Sequence, residues 1–229
     1  GGFIKRTAVS AFRAQRRGGK GVIGMTTREG ATQEDEGDFI EHLFTATTHD
    51  YLMFFTESGR CYVEKVYEIP EMGRASKGRS IANLLELRAG EKIAATIRVQ
   101  SKSSGTGPNA VDETWDENLH IVFATRTGIV KKSNLSDYSN VRKGGIIAIS
   151  IEDDDCLIDA VLTNGDNEIV LITAEGMSLR FHEEQLRDQG RNTVGVWGIR
   201  PVKGDHVVAI ALVNNDAMLL VAGENGTGK

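Results

Sequence analysis

A single unit recurs along the 229-residue chain, and this repeat constrains the fold more than any other feature. In each copy an apolar strand enters a short turn ending in glycine, and a second strand with basic residues follows, as in Tyr51–Val63, His120–Lys132 and Glu168–Arg180. The tip glycines are Gly2, Gly59, Gly128, Gly176 and Gly226, at spacings of 57, 69, 48 and 50 residues. Tight hairpin turns need a positive φ, which glycine adopts without a Cβ clash.

The second half of each unit also repeats, as a glycine-containing segment that turns apolar: Arg17–Ile23, Lys77–Ile81, Arg142–Ile147 and Gly190–Val196. The polar loop Ser101–Asn109 accounts for the one long spacing. Each unit then holds about four short strands, and helical patterns are confined to Ile81–Leu87 and Glu183–Leu186. Four-stranded repeats of this length predict an all-β, propeller-like ring of blades. We expect one domain, or a fragment of one, over residues 1–229, with approximate repeats 2–58, 59–127, 128–175 and 176–225 and a truncated fifth.

Charge is segregated along the chain, although the net charge is only -5. Every charged residue before position 29 is basic, whereas the charged residues from Glu29 to Glu41 are all acidic. Such a molecule can hold a polyanion on one surface and repel it from another. The acidic stretch is explained equally well as a solubilising surface.

The segment Gln15–Gly21 has the most informative local composition. It places Arg16, Arg17 and Lys20 on a backbone that three glycines leave free of side chains. Backbone amides can then approach phosphate oxygens while the cations neutralise their charge. Glycine-rich basic loops are common, so composition alone gives only a modest indication of DNA binding.

These seven residues match, at every position, the signature box of the gyrase A family, and the resemblance to that family's C-terminal domain extends over the whole chain. It implies a β-pinwheel, a propeller-like ring whose blades exchange strands. It also implies sequence-independent binding, bending and wrapping of duplex DNA around the rim, which enables negative supercoiling. The resemblance assigns DNA binding to the box residues Gln15, Arg16, Arg17, Gly18, Gly19, Lys20 and Gly21. It assigns the same role, on a weaker match, to the basic blade residues Lys5, Arg6, Lys65, Lys131, Lys132, Arg142, Lys143, Arg180 and Arg191.

The same resemblance implies the partners of the domain. These are double-stranded DNA, the gyrase A N-terminal domain and gyrase B in an A2B2 holoenzyme of the bacterial cytoplasm, with no membrane. ATP and magnesium would be used elsewhere in that enzyme, and no cofactor is expected here. The family usually has six blades, whereas this sequence shows four and a partial fifth. Two alternatives stay open: the related C-terminal domain of topoisomerase IV, which usually has a degraded box, and a propeller that binds proteins through its acidic face.

An enzymatic role for the domain itself is not expected. Gly223–Lys229 fits the phosphate-binding pattern G-x-x-x-x-G-K, but the hydroxyl residue and the helix that must follow the lysine are missing from the sequence. The five histidines show no metal-ligand spacing. Tyr138 has no neighbour that would activate a phenol and is predicted to lie on a blade surface. Cys61 and Cys156 are predicted to be buried thiols without a disulfide.

Overall fold

The computed structural model describes residues 2–28, 38–104, 111–221 and 228. Within these residues the regular structure consists of β-strands and short 3-10 helices, without an α-helix. The chain forms two compact units, one from Gly1–Asp116 and Tyr138–Ala148 and the other from Glu117–Asp137 and Ile149–Lys229. No helix in the described part is long and apolar enough to cross a membrane.

Eight strands belong to the first unit: β1 (Phe3–Ile4), β2 (Tyr51–Thr56), β3 (Arg60–Lys65), β4 (Arg79–Ser80), β5 (Ile93–Val99), β6 (Ser103–Ser104), β7 (Val111–Asp112) and β10 (Ile146–Ile147). Its main sheet is four-stranded, in the order β10-β3-β2-β5, and every pairing in it is antiparallel. Two-stranded pairs are formed by β1 with β4 and by β6 with β7. The long spacing between the tip glycines thus contains the antiparallel pair β6–β7.

Seven strands belong to the second unit: β8 (His120–Thr125), β9 (Ile129–Asn134), β11 (Leu157–Thr163), β12 (Glu168–Thr173), β13 (Ser178–His182), β14 (Val196–Trp197) and β15 (Val207–Leu212). They form the four-stranded sheet β11-β8-β9-β14 and the three-stranded sheet β13-β12-β15. The 3-10 helices of the described residues are Val9–Ala11, Val66–Glu68, Ile81–Asn83, Leu135–Tyr138 and Glu183–Gln185. The two helical segments expected from sequence are therefore single 3-10 turns.

Three of the four strands that follow a tip glycine, β1, β3 and β9, each pair with a short strand from the glycine-containing segment of the following repeat, whereas β13 is the edge strand of a three-stranded sheet among the described residues. Strand β4 pairs with β1, β10 with β3, and β14 with β9. The predicted all-β fold of strand-exchanging four-stranded blades is confirmed. A blade therefore contains strands from two repeats. The repeat boundaries 2–58, 59–127, 128–175 and 176–225 stay a prediction.

A threonine and a glycine build the turn at each complete hairpin tip. The backbone N–H groups of Gly59, Gly128 and Gly176 donate to the carbonyl oxygens of Thr56, Thr125 and Thr173, at 2.9, 3.1 and 3.0 Å. In every case the threonine hydroxyl accepts from the N–H of the residue after the glycine, at 3.1 Å. These glycines have φ of 81°, 103° and 82°, as expected, whereas Gly2 is not among the positive-φ glycines. Gly226 lies outside the described residues.

The cores of the two units come from the alternating apolar residues of the strands. In the first unit Leu52, Phe54 and Tyr62 pack with residues of the 3-10 turns, and in the second Val122, Ile169 and Leu171 form the centre. The prediction of a surface position for Tyr138 is wrong: the side chain is fully buried, and its hydroxyl donates to the Ala148 carbonyl at 3.3 Å. Cys61 is buried and Cys156 is half-buried, and both are free thiols.

Candidate nucleic-acid interface

The segment Gln15–Gly21, called the box loop below, is an exposed loop closed by its own hydrogen bonds. A β-turn brings the Gly19 N–H to the Arg16 carbonyl at 3.0 Å. The Gln15 carboxamide spans the loop, accepting from the Gly21 N–H at 3.0 Å and donating to the Gly21 carbonyl at 3.3 Å. Gly18 and Gly21 have φ of 88° and 72°. The conformation therefore depends on the glycines at these two positions.

The three cations of the box loop face solvent. Arg16, Arg17 and Lys20 are exposed, and none of their side chains has a hydrogen-bond or ion-pair partner among the residues that the structure describes. No protein carboxylate in that part of the chain competes for these groups. They can therefore contact phosphate oxygens without breaking an existing interaction.

Corresponding loops lie before each donated strand. Gly78, Gly145 and Gly195 precede β4, β10 and β14 and share the positive φ of Gly21, at 94°, 69° and 111°. Counting back from these glycines, the loops carry Arg142 and Lys143, which are exposed, and Arg191, which is half-buried. They also carry Arg74 and Lys77, which were not among the predicted site residues. The similarity of Lys77-Gly78-Arg79 to the box could have indicated these two residues from the sequence.

Two of the lysines predicted to bind DNA instead donate hydrogen bonds to the backbone carbonyls of these loops. The Lys5 ammonium donates to the carbonyls of Gly73, Arg74 and Ser76 at 3.1, 2.5 and 2.9 Å. Lys131, three residues after its tip glycine as Lys5 is, donates to those of Gly190 and Arg191 at 3.0 and 2.8 Å. Lys131 is fully buried, and burial lowers its pKa to about 8. Its ammonium is oriented towards backbone carbonyls and does not reach a phosphate from this position.

The next residue after each of these lysines is also bound by protein groups. Arg6 donates to the Glu71 carboxylate at 2.7 Å and to the Ile69 carbonyl at 2.8 Å. Lys132, at the corresponding position, is 7% exposed, donates to the Glu183 carbonyl at 3.3 Å and lies 3.5 Å from the Asp188 carboxylate. These contacts stabilise the hairpins. They do not leave the two cations free for a ligand.

The remaining predicted cations differ in availability. Arg180 is exposed but is bound by both oxygens of the Glu168 carboxylate. Lys65 is half-buried, with its ammonium 5.2 Å from the centre of the Tyr51 ring and 5.6 Å from that of Tyr67. The tyrosine contact raises the pKa of Lys65, so this residue is charged at neutral pH. Outside the box loop, Arg142 and Lys143 are the exposed members of the set whose side chains have no hydrogen bond or ion pair among the described residues.

A groove in the first unit brings Lys65 and Lys143 together with two carboxyl groups, Glu64 and Glu68. Burial, followed by the neighbouring Glu68 carboxyl, raises the pKa of Glu64 to about 7, while Lys143 acts in the opposite direction. Glu64 therefore keeps its proton to a higher pH than an ordinary glutamate does. The negative charge beside Lys143 is correspondingly reduced.

This pKa predicts a pH-dependent stability. Glu64 binds its proton more tightly in the folded state, at about 7, than its ordinary value of 4.5 allows. The contribution of Glu64 to the free energy of unfolding should therefore fall as pH rises from 4.5 to 7 and level off above 7. We expect Glu64→Gln to remove this loss and to stabilise the chain at pH 8 by on the order of 1 kcal/mol, after allowance for solvent screening. Urea titrations at pH 5 and pH 8 measure it, and an equal effect at both would contradict the assignment.

Several features of the sequence lie outside the described residues. These are positions 29–37 of the acidic stretch and, apart from Gly228, the glycine-rich segment Gly223–Lys229. In the part that the structure describes, Asp38 of the acidic stretch pairs with Lys77 at 2.8 Å. No group of three or more histidine, cysteine or acidic side chains there could hold a metal ion.

Comparison with known proteins places the repeat in a family. The profile described as DNA gyrase C-terminal domain, beta-propeller, matches residues 1–46, 50–100, 119–164 and 167–214. The gyrase A protein of Mycobacterium leprae (strain TN) is 40% identical over all of this chain, which spans 16% of that protein. The gyrase A protein of Staphylococcus epidermidis (strain ATCC 12228 / FDA PCI 1200) is 42% identical over 99% of the chain, which spans 24% of it.

Two solved structures share the fold. The C-terminal domain of DNA topoisomerase IV aligns with all of this chain and 64% of its own, with a TM-score of 0.71 and 26% identity. The gyrase A C-terminal domain aligns with 99% of this chain and 67% of its own, with a TM-score of 0.69 and 23% identity. The structural likeness supports the blade architecture, and the 40% identical sequences carry the assignment. The chain belongs to the family of DNA gyrase A C-terminal domains.

Proposed function

We propose that this chain binds duplex DNA without sequence preference and bends it, with the box loop as the anchor of the bend. The observation that carries the proposal is the presence of three exposed cations, without partners among the described residues, on a glycine-shaped loop. Phosphates carry one charge per about 1.7 Å of duplex axis, so a surface that binds them needs cations without protein partners. Arg16, Arg17 and Lys20 meet this condition.

The corresponding loops supply further contacts. Arg142 and Lys143 are exposed at the same place in another repeat, whereas Arg74 and Lys77 are half-buried and Lys77 is paired with Asp38 at 2.8 Å. Cations spaced along a surface can hold a duplex at several points. Such contacts offset the elastic cost of bending, on the order of 1 to 6 kcal/mol for 20 to 30 base pairs bent by 40 to 90°.

Membership of the family extends the proposal to the whole enzyme. The chain would act as the wrapping domain of DNA gyrase, joined to the gyrase A N-terminal domain and working with gyrase B in an A2B2 assembly in the cytoplasm. Cleavage of DNA and use of ATP and magnesium would belong to the rest of the enzyme. The box, which matches the gyrase signature at all seven positions, favours gyrase over topoisomerase IV.

Salt dependence tests the binding mode. If affinity comes from phosphate contacts, log K should fall linearly with log salt concentration, with a slope of about -0.9 for each phosphate neutralised. Fluorescence anisotropy with a labelled duplex of about 40 base pairs at 50 to 300 mM KCl would measure the slope. A slope near zero would reject binding through the loops, and binding to proteins in place of DNA would support the propeller alternative.

A further inference from the structure

Gln15 holds the box loop in a way that differs from the corresponding loops. The loops at Gly73–Gly78 and Gly190–Gly195 are fixed from outside by the ammonium groups of Lys5 and Lys131. Among the described residues no such lysine reaches the box loop. The side chain of Gln15 instead closes the loop by two hydrogen bonds to the backbone of Gly21, six positions away. These two bonds are called the Gln15 latch below.

The chemistry of the carboxamide explains why glutamine suits this position. Its oxygen accepts and its NH2 group donates side by side, and the backbone of Gly21 offers the matching N–H and C=O. Only one orientation of the amide satisfies both bonds, so the contact fixes the loop in a single register. A methionine of similar length would fill the same space without making either bond.

Gly19 leaves the room that this contact requires. A Cβ on Gly19 would lie 2.7 Å from Gln15 Oε1 and 3.2 Å from the Arg16 carbonyl oxygen. The φ of Gly19 is not positive, so its conformation does not itself demand glycine. The absence of a side chain lets the Gln15 amide cross the loop, which gives Gly19 a different role from Gly18 and Gly21.

We propose that Gln15 is a positioning residue for DNA bending: its side-chain latch presets the box loop so that Arg16, Arg17 and Lys20 meet the bent duplex in a fixed arrangement. Fixing the backbone of a loop costs conformational entropy, and a loop that is ordered in advance does not take this cost from the energy that bends DNA. This inference rests on the proposed function. According to this inference, the uncharged Gln15 contributes to the bending of DNA and much less to its binding.

The position of Gln189 provides a matched control. It stands six residues before Gly195, as Gln15 stands six before Gly21. Its backbone is bonded, through its N–H to the Lys132 carbonyl at 2.8 Å and through its carbonyl to the Ser133 hydroxyl at 2.8 Å. Its loop is clasped by Lys131 instead. Gln189→Met therefore changes the same residue type at the same place without opening a latch.

The test compares Gln15→Met, Gly19→Ala and Gln189→Met in the 229-residue chain. Hydrogen exchange of the Gly21 amide, followed by NMR without DNA, should be at least tenfold faster in the first two variants and unchanged in the third. A short duplex labelled at both ends should be bound by all three with affinity within about threefold of the original. The bend, measured by fluorescence transfer, should fall by more than half in Gln15→Met and Gly19→Ala only.

The possible outcomes separate this inference from the function on which it rests. Normal bending by Gln15→Met despite fast Gly21 exchange would reject the positioning role and leave DNA bending intact. A Gly21 amide that exchanges equally fast in the original chain and in Gln15→Met would show that the latch does not form in solution. Failure of the original chain to bend DNA would reject the proposed function itself.

Discussion

Replacing Gly128 by alanine is expected to destabilise the second unit by roughly 3 kcal/mol or more. The φ of 103° is unfavourable for a residue with a Cβ, at a cost of roughly 1 to 2 kcal/mol. The new Cβ would also overlap the backbone carbonyl oxygen of Ile199, and relief of such crowding typically costs another 1 to 3 kcal/mol. The backbone cannot move freely, since the Gly128 carbonyl accepts from the N–H groups of Gly198 and Ile199 at 2.9 and 3.2 Å.

Gly176→Ala is the control for this experiment. Gly176 occupies the same turn position with a φ of 82°, but a Cβ there would meet no atom within 4 Å. We expect a loss of about 1 kcal/mol from the backbone conformation alone. Chemical denaturation of both variants, followed by circular dichroism, gives the difference. Equal losses would show that the approach of Gly128 to Ile199 contributes nothing beyond the turn.

The hairpins could be predicted from sequence because their turns depend on local chemistry. A buried threonine, two turn residues and a glycine recur at the tips, and any chain with that pattern can form the same bonds. The likeness of the box loop to later glycine-containing segments also follows from residue type. The pairing of β4, β10 and β14 with strands of the preceding repeat could not be predicted in this way, because it joins residues that are far apart in the sequence.

The direction of each lysine side chain could not be predicted. Lys131 and Lys132 are neighbours on a strand and point to opposite faces, so alternation would leave one of them exposed. Both are buried because β9 is covered on one face by the loop that Lys131 clasps and on the other by the segment containing Asp188. Exposed Arg142 and Lys143 occur in the same kind of basic pattern. Distinguishing the two cases required the tertiary contacts.

The burial of Lys131 and Lys132 also determines how the box can be tested. A control that removes them would expose unsatisfied carbonyls and weaken the fold as well as any DNA contact. A suitable control removes three exposed cations of the predicted set outside the box loop: Arg142, Lys143 and Arg180. The net charge then changes by the same amount as in a triple change of the box.

The triple substitution of Arg16, Arg17 and Lys20 by alanine is expected to abolish most of the DNA bending while reducing affinity only a few-fold. Phosphate contacts elsewhere remain, so the duplex is still bound. A bend must be held at more than one point, and loss of one anchor lets the duplex straighten and recover elastic energy of about 1 to 6 kcal/mol. In an assembled gyrase the variant should relax DNA but fail to introduce negative supercoils.

The control triple should behave differently, because it leaves the box loop intact. Replacing Arg142, Lys143 and Arg180 changes the net charge equally but removes only two cations without a partner among the described residues, because Glu168 binds Arg180, so affinity should fall by a similar or smaller factor and at least half of the bend should remain. Ring closure of short duplexes by ligation, together with fluorescence transfer between their ends, measures bending at saturating protein, where the affinity loss no longer matters. If both triples lose bending equally, total charge and not the box loop holds the DNA, because a position-independent electrostatic attraction would respond only to the number of cations removed.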